Sequence, residues 1–323
     1  MPLLQGPEGV HRAARALADG ELVAFPTETV YGLGARADDD AAVARIFAAK
    51  GRPADHPLIV HVASFAAAQA FAAVLPDSAR RLMQACWPGP VTVIVPRRDG
   101  IGAAAAGGQA SVGLRMPSHP LALALLHEAA ALGVPGVAAP SANRFGRVSP
   151  TLAAHVQAEF GPAMWVLDGG PCEVGIESAI VDCTRSPPAG PALLRPGQLG
   201  RESLEQVLGQ VLAEPDAASP RASGTLASHY APAAALRLVA PADWHDAVEA
   251  APPLPGVALY TRRVPPPGWW HRPMAAGADA AAHELFAVLR ELDAAGARAI
   301  WVEAPPAVLA WDGVRDRLRR AAA

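Results

Sequence analysis

The stretch DDDAAVARIFAAKGRPADHPLIVHV, residues 38–62, reads as a helix followed by a strand and decides how the first part of the chain folds. Its opening aspartates are typical N-cap residues and Gly51 is a typical stop, so we predict a helix over 38–52. The β-branched run PLIVHV, residues 57–62, predicts a strand. A helix that leads into a strand is typical of an α/β protein, and Lys50 falls in the last helical turn.

Lys50 is the only lysine in the chain, which has 27 lysine and arginine residues in total. An ammonium group is a compact point charge with three rotatable donors, whereas a guanidinium group is a planar fork. A lysine retained in such a composition is a candidate for contact with a phosphate or carboxylate oxygen. From this residue alone, the chance survival of a solvated surface lysine remains the alternative.

Strands and helices alternate outward from this stretch as far as about residue 200. Strands are predicted over 22–27, 57–62, 91–96, 112–117, 136–143, 165–170, 176–183 and 192–197. Helices are predicted over 7–20, 38–52, 64–74, 77–85, 119–132 and 151–159. This order predicts a mixed α/β domain over residues 1–200, built around a cleft where polar residues gather at strand ends.

The composition changes after residue 200. A helix at 201–213 is followed by a segment rich in Pro, Ala, Ser and Gly, so we predict a linker over 201–235. The motif SHYAP, residues 228–232, is unusual for a tether and suggests a docking segment, although a casual surface tyrosine remains possible. Strand–helix alternation restarts over 236–323 and predicts a small parallel, doubly wound α/β domain.

The overall composition narrows the classes of function. Hydrophobic residues make up 51% of the 323 residues and charged residues 18%, which favours a well-packed globular protein. The net charge of −3 argues against a general nucleic-acid surface. Three cysteines without CxxC spacing predict neither a disulfide framework nor a metal site. With no signal peptide and no apolar run of about 18 residues, we expect a soluble, cytoplasmic protein without membrane contact.

Polar side chains gather in three segments and also interrupt three apolar strands. The segments are FPTETVYGLG (25–34), KGRP with the following His56 and His61 (50–61), and APSANRFGRVSP (139–150); the interrupted strands carry Arg115, Ser178 and Arg195. The third segment offers the hydroxyl, amide and guanidinium donors of a phosphate cradle, without the P-loop pattern. Each of these residues alone is as readily structural, but together they predict one buried polar site.

Seven motifs together resemble one known family, over roughly residues 5–200. They are PTETVYGLG, AKGRP with HPLIVHV, WPGPVTVIV, VGLRMPSHP, APSAN with the later SPT, LDGGPCEVGIES and LLRPG. The resemblance is to the YrdC-like domain of threonylcarbamoyl-adenylate synthases. The HYAP motif and the second α/β domain resemble the long, two-domain form of that family. The resemblance implies a twisted mixed sheet with a concave, positively lined cavity.

A reaction is also implied by the resemblance. L-Threonine and bicarbonate combine to a carbamate, which attacks the α-phosphate of ATP to give threonylcarbamoyl-AMP and pyrophosphate, with Mg²⁺ accompanying ATP. The product feeds the t6A modification at position 37 of tRNA through a downstream transferase machinery. No stable direct binding of tRNA is expected.

The resemblance further implies two sets of binding residues. The residues implied to bind the substrate L-threonine are Thr29, His61, Arg115, the Ala139 main chain and Ser178. The residues implied to bind ATP are Arg52, His56, Ser111, Ser141, Asn143, Ser149, Arg195 and Tyr230. Lys50 and Arg52 are the implied catalytic residues, and the segment that carries Tyr230 is the natural lid. His56 stands where the family commonly has asparagine, which leaves its contact open.

Two other functions are possible alternatives to this one. An RNA-binding or translation-accessory module is disfavoured by the net charge and by the sparse aromatic residues. A carbamoyl transferase is disfavoured because the chain has neither an acylphosphatase-like segment nor a CxxC array.

Overall fold

The structure, a computed structural model, describes residues 3–185 and 188–323, where the strands form two separate sheets. The strands of the larger sheet are β1 (Val23–Phe25), β2 (Gly32–Arg36), β3 (Ile59–His61), β4 (Val91–Pro96), β5 (Ser111–Arg115), β6 (Val137–Ala138), β7 (Trp165–Val166), β8 (Ala179–Asp182) and β9 (Ala192–Arg195). Their order across the sheet is β7-β1-β2-β6-β3-β5-β4-β8-β9. The pairs β1–β7, β3–β5 and β4–β8 run parallel and their neighbours antiparallel, so the sheet is mixed, as predicted.

Helices connect these strands. They are α1 (Gly6–Ala18), α2 (Asp40–Lys50), α3 (Phe65–Ala68), α4 (Asp77–Cys86), α5 (Pro120–Ala131), α6 (Ala153–Phe160) and α7 (Arg201–Leu208). Helix α2 begins where the Asp39 carboxylate accepts hydrogen bonds from the main-chain nitrogens of Ala41 and Ala42. It ends at Gly51, whose φ of 65° lies in the left-handed region, and Lys50 is therefore its last residue.

The two faces of the large sheet are covered differently. Successive side chains of a strand point to opposite faces, so Val60 belongs to the main core under α2 and α4 while Ile59 faces the other way. On that other face, α1 and α5 cover only one end, where Phe25 packs. The uncovered end carries Ile59, Ile94 and Ile180, and the linker lies against it. A half-covered face of this kind leaves room for a site.

Strand β2 was not predicted, because its Gly-Leu-Gly sequence has low strand propensity. A Cβ atom on Gly34 would lie 2.8 Å from side-chain atoms of both Phe25 and Val137, so only glycine fits between these two neighbours. At Gly34 the glycine therefore permits a close approach of side chains within the sheet.

The second sheet forms the C-terminal domain. Its strands are β10 (Ala235–Val239), β11 (Val257–Thr261), β12 (Trp270–Pro273) and β13 (Ala299–Glu303), which run parallel in the order β10-β13-β11-β12. Helices α8 (Ala278–Ala294) and α9 (Asp312–Ala321) pack on one face and the segment around Trp244 on the other, so the predicted parallel layer is confirmed. Between β10 and β11 lies a π-helical turn, His245–Glu249.

Helix α9 sits directly on the first domain. A Cβ atom on Gly313 would lie 2.7 Å from the side chain of Ile176, and one on Gly175 would lie 2.4 Å from main-chain oxygens of α8. Both helices of the C-terminal domain therefore touch the segment that leads into β8. Along the stretches the structure describes, no helix has the length and apolar character needed to cross a membrane.

Candidate functional site

A small buried cavity lies on the half-covered face of the large sheet, between strand ends, the loop 139–149 and the linker. Its volume is about 30 Å³, enough for about two water molecules. Many of the predicted site residues line it, namely Thr29, Arg52, His61, Arg115, Ala139, Ser141, Ser178, Arg195 and Tyr230. Side chains that are far apart in sequence therefore meet at one buried polar point, as the sequence predicts.

The other predicted residues lie beside this cavity and do not line it. His56 lines a second small cavity that shares Arg52, and Ser111 lines a third one. Asn143 is buried and its amide nitrogen donates to main-chain oxygens of its own loop. Ser149 is buried, and its Oγ donates a hydrogen bond to Glu177 Oε1, which belongs to a cavity residue. His56 and Ser111 therefore line neighbouring cavities, whereas Asn143 and Ser149 are packed inside the protein.

Lys50 reaches across from α2 to the loop 139–149. Its Nζ donates a hydrogen bond to the main-chain oxygen of Ser141 at 2.6 Å and another to that of Asn143. Burial, and next the neighbouring Arg52, holds the pKa of Lys50 well below its usual range. The lone lysine therefore braces the loop in this structure and is not the solvated surface residue that remained possible from the sequence.

Two buried guanidinium groups, Arg52 and Arg195, converge on the linker residue Ser223. Arg52 donates from Nη2 to Ser223 Oγ at 3.3 Å, and Arg195 donates from Nη1 to Ser223 O at 2.8 Å. Burial lowers the pKa of Arg52 to about 10 and also lowers that of Arg195. Two adjacent cations without a carboxylate directly between them form an anion-binding arrangement, and the polar atoms of Ser223 occupy it here.

The opposite end of the cavity is built around Arg115. Its Nη2 donates to Glu28 Oε1 at 2.6 Å and its Nη1 donates to Thr29 Oγ1 at 2.9 Å. The Thr29 hydroxyl also shares a hydrogen bond with that of Thr27, 2.8 Å away. Glu28 thus holds the guanidinium plane while leaving N–H groups of Arg115 for a ligand carboxylate.

His61 faces the same end from β3. Burial, and next the charge of Arg115, lowers the pKa of His61 to about 3, so the ring is neutral near pH 7. Its Nδ1 is buried and has no hydrogen-bond partner among the described residues. A neutral ring with a free nitrogen can serve a polar ligand without adding charge to the cavity.

Glu177 is a site residue that the sequence interpretation missed. It is the one carboxylate among the described residues that line the cavity. Burial alone would raise the pKa of Glu177, but Arg317, Arg195 and the Ser149 hydroxyl lower it to about 2. Its position directly before Ser178 was the available signal, but its partner Arg317 stands 140 residues away.

The linker closes the cavity from above. Tyr230 is 1% exposed and adopts a φ of 65°, which is unusual for a residue other than glycine. Its ring lies 5.4 Å from that of Phe286 in α8, and its hydroxyl has no hydrogen-bond partner in the described part of the chain. His229 beside it is buried as well. The HYAP motif is therefore a docked segment and not a surface tyrosine on a tether.

Two family models match the chain and divide it near residue 198. A model of the Sua5/YciO/YrdC family, described as "Telomere recombination", matches residues 15–197. A second model, described as "Threonylcarbamoyl-AMP synthase, C-terminal domain", matches residues 199–323.

Curated relatives with high similarity carry the name threonylcarbamoyl-AMP synthase. The protein of Pyrococcus abyssi is 44% identical over 233 residues, which cover 70% of this chain and 66% of the relative. That of Bacillus subtilis is 42% identical over 235 residues, which cover 71% of this chain and 66% of the relative. The aligned parts thus span just under two thirds of each relative's length.

A solved structure extends the similarity to the whole chain. The structure of P. abyssi Sua5 complexed with L-threonine superposes with a TM-score of 0.89 at 34% identity. The match covers 100% of this chain and 98% of that one. Both domains and their arrangement are therefore shared with that protein.

Proposed function

Because this chain belongs to the Sua5/YciO/YrdC family in its long, two-domain form, we propose that it is a threonylcarbamoyl-AMP synthase. The resemblance and the fold class predicted from the sequence motifs are confirmed. The observation that carries the function is the single cavity that joins an Arg115 end to an Arg52 and Arg195 end. We assign the first end to L-threonine and the second to ATP.

The Arg115 end suits a hydroxylated amino acid. Spare N–H groups of a guanidinium that Glu28 already orients can bind the substrate carboxylate. The hydroxyl pair of Thr27 and Thr29 and the unpaired Nδ1 of His61 are then available to the amine and hydroxyl groups. A P. abyssi relative has been crystallised with L-threonine, which supports this assignment.

The other end suits a polyphosphate. Arg52 and Arg195 hold the Ser223 hydroxyl and carbonyl oxygens, and phosphate oxygens of ATP are stronger acceptors for the same two groups. A cavity of about 30 Å³ cannot contain ATP, so the segment around Ser223 and Tyr230 has to move for the nucleotide to enter. The linker over 201–235 is thus a lid in our proposal.

The reaction consists of two steps. The neutral threonine amine and bicarbonate give a carbamate with loss of water. A carbamate oxygen then attacks the α-phosphorus of ATP, the bond to the β-phosphate oxygen breaks, and pyrophosphate leaves, which makes the enzyme a nucleotidyltransferase. Such chemistry depends on alignment of a weak nucleophile and on stabilisation of phosphate charge. A docked lid also protects the labile carbamate from water.

Lys50 and Arg52 are the residues we propose for catalysis. Arg52 lines the cavity and can follow the charge that moves to pyrophosphate. Lys50 fixes the two main-chain carbonyls of the loop that carries Ser141, and an ammonium so placed becomes available to a phosphate when the loop shifts.

Mg²⁺ would enter with ATP, bound to phosphate oxygens, where it supplies further charge neutralisation. Within the described residues no group of three or more His, Cys, Asp or Glu side chains could hold a metal ion. The carboxylate of Glu177 is already engaged by Ser149 and Arg317. The product would pass to the transferase machinery of t6A synthesis, without stable tRNA binding by this chain.

The decisive experiment is incubation of the protein with ATP, bicarbonate and L-threonine, followed by mass spectrometry for threonylcarbamoyl-AMP. Pyrophosphate release should require threonine. Release that does not depend on threonine, with no adenylate formed, would contradict the proposal. L-Serine in place of threonine is a matched control for recognition of the side-chain methyl group.

A further inference from the structure

The C-terminal domain contacts the loops around the site through two arginine side chains. Arg290 of α8 donates from Nη2 to the main-chain oxygen of Val148 and to Glu159 Oε1, the latter at 2.8 Å. Arg317 of α9 reaches the segment between Ile176 and β8, where Glu177 lies. The two loops that they hold are tied to each other by the hydrogen bond from Ser149 Oγ to Glu177 Oε1, 2.5 Å long.

Arg317 is the more deeply placed of the two, with a side chain that is 0% exposed. Its Nε donates to Glu177 Oε2 at 2.9 Å, and its Nη2 donates to the main-chain oxygen of the same residue at 3.0 Å. Its Nη1 donates to Pro196 O at 2.7 Å. The guanidinium carbon also lies 5.6 Å from the ring centre of Tyr230. One side chain of the C-terminal domain therefore contacts three segments that surround the cavity.

The charges explain why this contact matters for a nucleotide. Glu177 is a buried carboxylate on a cavity that we assign to a polyphosphate, so without a cation of its own it would repel the ligand. Arg52 and Arg195 are the cations on the ligand side, whereas Arg317 approaches Glu177 from the C-terminal domain. Removal of Arg317 would leave Arg195 as the remaining guanidinium that compensates the charge of Glu177, and would draw Arg195 away from the ligand.

We propose that Arg317 is a positioning residue for ATP binding, which acts by holding Glu177 and the lid tyrosine Tyr230 in place. This inference rests on the proposed function, since it takes ATP as the ligand of the Arg52 and Arg195 end. It gives the C-terminal domain a defined task in the site. The domain completes the charge balance of a cavity whose lining residues come from the first domain and the linker.

The test compares ATP and threonine binding by calorimetry in full-length variants. Arg317→Met should weaken ATP binding about tenfold or more while threonine binding changes less than about threefold. The second substitution Glu177→Gln in the same chain should recover most of that loss, because it removes the charge that draws Arg195 away. Arg319→Met is the matched control, since Arg319 lies on the same helix with a side chain that is 72% exposed.

A purely structural role predicts a different result. In that case ATP and threonine binding fall together, and Glu177→Gln recovers nothing. Wild-type ATP affinity in Arg317→Met would overturn the inference outright. If Arg317→Met does not fold, Arg317→Lys is the alternative variant. It keeps the charge but loses the hydrogen bonds to the main-chain oxygens of Glu177 and Pro196, and it should show the same selective loss of ATP binding in weaker form.

The binding measurements need no turnover, so they separate this inference from the proposed reaction. A wild-type protein that binds ATP but forms no adenylate would refute the synthase and leave the task of Arg317 intact. A wild-type protein that forms the adenylate, with Arg317→Met at full ATP affinity, would do the reverse.

Discussion

Lys50 Nζ donates a hydrogen bond to the main-chain oxygen of Ser141 at 2.6 Å, across 91 positions of the sequence. The contact joins the end of α2 to the loop that carries the APSAN motif. Two motifs that a sequence comparison treats as independent are therefore one structural unit, and a change in one should disturb the other.

Lys50→Arg tests whether this unit needs a compact ammonium. The guanidinium fork is too large to place one nitrogen between two carbonyl oxygens in a buried space, so we expect adenylate synthesis to fall about tenfold or more. Turnover is measured with saturating substrates, and thermal melting checks folding. Arg45→Lys on the exposed side of the same helix is the matched control. Unchanged turnover in Lys50→Arg would return the lysine to a structural role.

Arg115→Lys and Arg195→Lys form a reciprocal pair that separates the two substrates. Each variant keeps one positive charge and loses the fork, so Arg115→Lys should weaken threonine binding about tenfold and spare ATP. Arg195→Lys should do the opposite. Calorimetry with each ligand alone distinguishes them. Equal losses for both ligands in either variant would refute the assignment of the two ends.

Tyr230→Phe isolates the lid hydroxyl. That hydroxyl has no hydrogen-bond partner within the described residues, so its removal should lower the melting temperature by less than about 2 °C. ATP binding should nevertheless weaken about threefold or more if the hydroxyl contacts the nucleotide. Tyr260→Phe is the contrasting control, because Tyr260 donates to Glu284 at 2.9 Å and its loss should cost stability without affecting ATP.

The buried histidines predict how stability depends on pH. Burial first, and neighbouring cations next, lower the pKa of His61 and of His229 to about 3, from an ordinary value near 6.5. Between these values the unfolded chain binds protons that the folded chain does not, so the free energy of unfolding should fall as pH drops below 6.5. Each histidine should contribute about 1.6 kcal/mol between pH 6.5 and pH 5.

Urea unfolding at several pH values measures this slope. His61→Asn should make the slope shallower by the share of one proton. A slope that is the same in His61→Asn as in wild type would show that His61 is protonated in the folded protein.

Local signals account for the parts of the fold and site that the sequence predicts. The N-cap Asp39 and the left-handed Gly51 fix helix α2, so the position of Lys50 could be deduced from residues within one helix. Strand β2 was not predicted because its glycines are unusual in a strand. Glycine is needed there only because Phe25 and Val137 crowd the position once the strands have paired. Glu177 was missed for the same reason, since its partner Arg317 comes from another domain.

The docked linker has a kinetic consequence. Ser223 and Tyr230 line the end of the cavity that we assign to ATP, so we expect the lid to open before the nucleotide can associate. As the ATP concentration increases, the observed rate of binding should level off at the opening rate of the lid instead of increasing in proportion. At high ATP concentration, the observed rate of nucleotide binding is thus set by the opening of the 223–230 segment and no longer depends on the ATP concentration.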